Sequence, residues 1–94
     1  MIRSYRDRDS ERFALGEIIR QWVPFRRQAE KCLRILDAAG SLGDLAALNS
    51  NRLEALKRDR KDQYSIRIND QWRICFNWLK NEPGPSNVEI VDYH

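Results

Sequence analysis

The stretch Gln63-Tyr64-Ser65-Ile66-Arg67-Ile68-Asn69-Asp70-Gln71-Trp72-Arg73-Ile74-Cys75-Phe76 decides the fold. Tyr64, Ile66 and Ile68 alternate with Ser65, Arg67 and Asn69. After an Asn69-Asp70 turn, Trp72, Ile74, Phe76 and Trp78 alternate with Arg73, Cys75 and Asn77. A side-chain period of two belongs to a strand, so this is an antiparallel hairpin with one apolar and one mixed face. Just upstream, Arg52-Leu53-Glu54-Ala55-Leu56 starts the same period and reads as a further strand, joined to the hairpin by a charged turn. Residues 51–76 also carry the whole charge excess of the chain, seven Lys or Arg against four acids, within a net charge of +3. A basic excess gathered on one hairpin is the footprint of a surface that meets phosphates, and equally that of a solvated strand face.

Outward from the hairpin, residues 81–87 contain Pro83, Gly84 and Pro85 and form a loop, and residues 88–93 form a last strand. On the other side, Gly43, Asp44, Asn49 and Ser50 mark residues 41–50 as a connection with one helical turn at residues 44–48. Phe25, Ala29, Cys32, Leu33 and Leu36 fall on one helical stripe, with Pro24 suited to its first turn and Gly40 to its stop. An earlier helix is expected from Phe13, Leu15, Ile18, Ile19 and Trp22, capped by Asp9 or Ser10 and weakened at Gly16. Residues 2–5 offer a short edge strand. Two N-terminal helices packed on a twisted antiparallel β-sheet make an α+β domain.

Ninety-four residues suit a single domain over residues 1–94, with one modest core. A composition of 33% charged and 41% hydrophobic residues, with three Trp, belongs to an ordered protein rather than a disordered tail. No apolar run approaches membrane-span length and the start lacks a signal-peptide core, so a cytoplasmic protein is expected. Cys32 and Cys75 form no CxxC pair and read as two reduced, partly buried thiols, with a single disulfide as the alternative. His94 is the only histidine, so no structural zinc, no other metal and no cofactor is expected.

Strand alternation turns Arg67 and Arg73 away from the helices, onto a cationic open face. Lys57 enters that face from the preceding strand or turn, and the last strand brings Tyr93 and His94 alongside. Arg73 and Lys57 supply donors for non-bridging phosphate oxygens, and Tyr93 and His94 can carry protons. RNA cleavage needs little more, because the ribose 2′-hydroxyl is an internal nucleophile and no metal is required by that route. Each residue also has an ordinary role: a solvated strand arginine, a frayed terminal histidine, a tyrosine that anchors a strand.

Asn51-Arg52-Leu53-Glu54-Ala55-Leu56-Lys57, the hairpin quoted above and the terminal Val88-Glu89-Ile90-Val91-Asp92-Tyr93-His94 closely resemble the HigB branch, including GraT-like members, of the RelE toxin superfamily. The resemblance implies the toxin of a type II toxin-antitoxin pair that cuts messenger RNA in the ribosomal A site. It implies a HigA-like helix-turn-helix antitoxin, with operator DNA met only through that antitoxin. Lys57, Arg73, Tyr93 and His94 are similar to the family's catalytic set, and Glu54 stands where some members have histidine. Arg52, Arg58, Arg60, Lys61 and Arg67 would bind ribosomal RNA or message. Where the family usually has glycine, this chain has Arg58 and Asp62, of which aspartate enters a left-handed turn more cheaply. Within the superfamily the alternative is a ParE-like gyrase inhibitor, and outside enzymes a module that only binds RNA or its antitoxin.

Overall fold

The structure, a computed structural model, describes residues 1–56 and 62–92. Helix α1 (Arg8–Ala14) is followed by a 3₁₀ helix (Arg20–Phe25), α2 (Arg26–Ala38), α3 (Leu42–Ala46) and a short 3₁₀ turn (Asn49–Asn51). Then come strands β1 (Glu54–Ala55), β2 (Gln63–Arg67), β3 (Trp72–Asn77) and β4 (Ser86–Asp92). The strands form one antiparallel sheet in the order β1-β2-β3-β4. This is the expected α+β arrangement of helices on an antiparallel sheet, with α3 as a third, short helix.

The hairpin register follows the apolar alternation. Ile66 lies opposite Ile74, and Ile74 opposite Ile90. These three side chains are buried beneath Ala29, Cys32, Leu33 and Leu36 of α2, and Phe13, Trp22, Phe76 and Trp78 complete the same cluster. Full burial of each large apolar side chain contributes about 1.5–3 kcal/mol, so this layer is the main stabilising term. Phe13 meets Trp22 edge-on with centroids 5.4 Å apart, and Phe25 packs on Trp72 at 5.0 Å.

Several expected boundaries move. Asp7, rather than Asp9 or Ser10, caps α1, its carboxylate accepting from the Ser10 N–H at 2.7 Å. The first helix ends before Gly16, which takes φ 97°. Leu15 and Ile18, expected on its apolar face, are consequently exposed. Pro24 sits inside the 3₁₀ helix that runs directly into α2. The strand read from Arg52 onward shrinks to two residues, because Arg52 itself is left-handed at φ 45° and breaks the extended run. The turn of helix placed at residues 44–48 begins earlier, with Ser41 as its cap.

The N-terminal segment closes the outer edge of β4. Tyr5 bridges Val88 in parallel, with Arg6 N donating to Val88 O at 3.0 Å and Val88 N to Ser4 O at 3.1 Å. One residue pair beyond, the Ile90 N–H donates to Ser10 Oγ at 3.1 Å, which ties α1 to the edge strand. Ser10 is therefore buried as an acceptor. Replacing Ser10 by Ala would strand a buried N–H, so Ser10→Ala should lose about 1–3 kcal/mol of unfolding free energy. In urea unfolding this would be seen as a lower midpoint with an unchanged slope.

Candidate active site

The face of the sheet turned away from the helices carries Glu54, Ser65, Arg67, Arg73, Cys75, Glu89 and Val91, placed by the register Glu54↔Ser65↔Cys75↔Glu89 and Arg67↔Arg73↔Val91. Arg67 and Arg73 are direct cross-strand partners, so the hairpin does bring two guanidinium-bearing positions together. The face is less open than alternation alone suggested. Ser65 and Cys75 at its centre are 0% and 2% exposed, and Leu56 is also buried outside the main core cluster.

Arg73 is half-buried and held on one edge. Its Nε donates to Ser65 Oγ at 2.8 Å, and its Nη2 donates to Arg52 O at 2.6 Å and, more weakly, to Ser65 O at 3.4 Å. A guanidinium has five N–H donors in a planar fork. Here one side of the fork is engaged by neutral oxygens, while Nη1 meets no acceptor among the described residues. Among the described residues the charge is fixed in direction without being neutralised.

The Arg52 carbonyl reaches Arg73 because Arg52 takes a left-handed conformation, φ 45° and ψ 54°, at the end of the Asn49–Asn51 turn. For a non-glycine residue this costs roughly 1–2 kcal/mol. The turn is anchored by Asn51, which is buried and donates its Nδ2 to Leu45 O at 3.0 Å. The Arg52 side chain is exposed.

Arg67 is ion-paired with Asp70 of the hairpin turn, a carboxylate 99% exposed. Such a surface pair contributes about 0–1 kcal/mol and is screened by salt. Glu54 is exposed and makes no ion pair with Arg73 among the described residues. Lys57, Arg58, Arg60, Lys61, Tyr93 and His94 lie outside the described residues. Asp62, at the end of the charged turn, takes φ 62°, the left-handed conformation expected of it. Glu89 is paired with Arg6 at 3.0 Å. Among the described residues no group of His, Cys, Asp or Glu is arranged to hold a metal ion.

The sequence reading assigned no task to Ser65, Asn51 or the Arg52 carbonyl. The signal for Ser65 was its place in a strand otherwise built of aromatic and β-branched residues, on the face shared by Arg67 and Arg73. A carbonyl leaves no such signal.

Behind Arg67, α2 reaches the strand through Cys32, whose thiol donates to Arg67 O at 3.5 Å. Cys32 and Cys75 are both buried thiols, and the disulfide alternative is not formed. Burial pushes the Cys32 thiol above its ordinary value of 9.0, partly offset by Lys31 and Arg67. The folded state then keeps a proton that the unfolded chain gives up, so this contribution is complete below about pH 9 and is lost as pH rises through the folded-state value. Tyr5, pushed above 10.0 by burial and then by Asp37 and Glu11, adds a second alkaline loss. Stability measured by urea unfolding should decline above about pH 9, and Cys32→Ala should flatten the first part of that decline.

A family model described as the RelE-like toxin of type II toxin-antitoxin system HigB matches residues 4–94. The chain is also 45% identical over 47 residues to Toxin HigB-1 of Vibrio cholerae serotype O1. That match covers 50% of this chain and 50% of the toxin, so the aligned region spans half the length of each. No helix among the described residues is long and apolar enough to cross a membrane.

Proposed function

We propose a function from the premise that the chain belongs to the family of RelE-like HigB toxins of type II toxin-antitoxin systems: it is a ribosome-dependent endoribonuclease that cuts messenger RNA in the A site. The observation that carries this reading is Arg73, held by Ser65 and the Arg52 carbonyl with Nη1 meeting no acceptor among the described residues, beside Arg67 across the hairpin. It acts as one domain over residues 1–94, in the cytoplasm, and is kept inactive by a HigA-like antitoxin that also carries the complex to operator DNA.

Cleavage by this route requires the 2′-hydroxyl to lose its proton and attack phosphorus, while the 5′-oxygen leaves and takes up a proton. The products are a 2′,3′-cyclic phosphate and a 5′-hydroxyl. Arg73 and Lys57 hold the non-bridging oxygens, where charge builds in the transition state. Tyr93 orients the reacting groups, and His94 exchanges protons, as an imidazole side chain can at physiological pH. Glu54, exposed on β1 with no ion-pair partner among the described residues, is a second candidate base. Arg52, Arg58, Arg60, Lys61 and Arg67 bind ribosomal RNA and message.

Primer extension on a defined message, with and without programmed ribosomes, tests the reading. Cuts within codons should need ribosomes, and Arg73→Ala should reduce their rate by about 10²–10³-fold while leaving the fold intact. Activity should also fall steeply with added salt, as phosphate contacts do. Inhibition of gyrase supercoiling without cuts would replace the proposal by a ParE-like one. Cuts on naked RNA would make the protein an ordinary ribonuclease.

A further inference from the structure

Ser65 sits at the centre of β2, fully buried, in the position where a strand would gain most from a β-branched or aromatic side chain. A hydroxyl removed from water is unfavourable unless it is hydrogen-bonded. The Ser65 hydroxyl meets that requirement by accepting from Arg73 Nε at 2.8 Å, and the carbonyl of the same residue accepts from Arg73 Nη2 at 3.4 Å. Two oxygens of one rigid strand residue therefore grip one edge of the guanidinium. The planar fork has no further freedom once Nε and Nη2 are set, so the direction of Nη1 is set as well. Loss of the hydroxyl would leave Arg73 tied by Nη2 alone, free to swing about its χ angles.

We infer that Ser65 is a positioning residue for Arg73: its hydroxyl aims the Nη1 edge of the guanidinium at the scissile phosphate. The inference rests on the nuclease reading above, and it concerns geometry formed before RNA or ribosome is met. Ser65 touches no reacting atom. Its effect passes entirely through Arg73, so it belongs to the rate of the chemical step rather than to ribosome binding.

Ser65→Ala removes one oxygen without adding volume, and Ser65→Thr restores the hydroxyl. The first readout is the Arg73 Nε–H resonance in the free protein, assigned by its loss in Arg73→Ala. In the wild type this proton should exchange slowly with water, and in Ser65→Ala it should exchange about tenfold faster or more, because its acceptor is gone. The second readout is single-codon cleavage on programmed ribosomes. Ser65→Ala should lower kcat by about tenfold to a hundredfold with KM little changed, as expected for a misaimed group. Ser65→Thr should recover most of that loss. In an Arg73→Ala background, Ser65→Ala should cost nothing further.

An unchanged Nε–H exchange rate in Ser65→Ala would overturn the inference, and so would an equal activity loss with and without Arg73. A wild-type protein that cuts nothing on ribosomes would sink the nuclease reading instead. In that event the exchange measurement still decides whether Ser65 fixes Arg73.

Discussion

The register of the β2–β3 hairpin is the constraint on which the remainder depends. Pairing Ile66 with Ile74 places the apolar set of both strands against α2 and, by the same step, places Arg67 beside Arg73 on the other face. A slip of one residue would exchange the faces and drive two guanidinium groups into the core. Buried unpaired charge is far too unfavourable for that alternative to be populated. Core and cationic face are thus specified together, and β4 extends both by setting Ile90 against Ile74 and Val91 against Arg73.

Precision at Arg73 is borrowed from the layers around it. The sheet beneath is held on its helical side by Trp22, Leu36 and Phe76, all nearly inaccessible. At its far edge the N-terminal segment covers β4, where Ser4, Arg6 and Ser10 take up backbone groups that would otherwise invite another strand. On the near side, Asn51 fixes the turn from which the Arg52 carbonyl projects. A group mounted on a strand and braced by a second segment is placed more tightly than one on a loop.

The elements legible in the sequence are those whose signal is local. The hairpin is legible in fourteen residues that alternate on either side of the Asn69-Asp70 turn, and α2 in one stripe whose Ala29, Cys32, Leu33 and Leu36 are buried. The α1 cap was misplaced because Ser10, a good capping residue by type, is committed to Ile90, eighty positions away. No local pattern contains that partner. The apolar positions run from Phe13 to Trp22 with Gly16 as their weak point, and there the chain turns left-handed, ends α1 and hands Trp22 to the 3₁₀ helix. In the candidate site, Arg67 and Arg73 were legible through alternation. What holds Arg73 was not, since a backbone carbonyl from a strained turn and a serine without a motif carry no message in the sequence.

Two arginines opposite each other on an antiparallel pair repel, and a protein selected only for stability would avoid them. The structure relieves the two in different ways. Arg67 leans on Asp70, a pair so exposed that water and salt weaken it. Arg73 is braced instead by a hydroxyl and two carbonyls. A carboxylate in their place would hold the side chain as firmly but would cancel its field and compete with any anion for the same N–H groups. Neutral acceptors separate orientation from neutralisation. Among the described residues no carboxylate neutralises the Arg73 guanidinium, and its direction is set by those three oxygens.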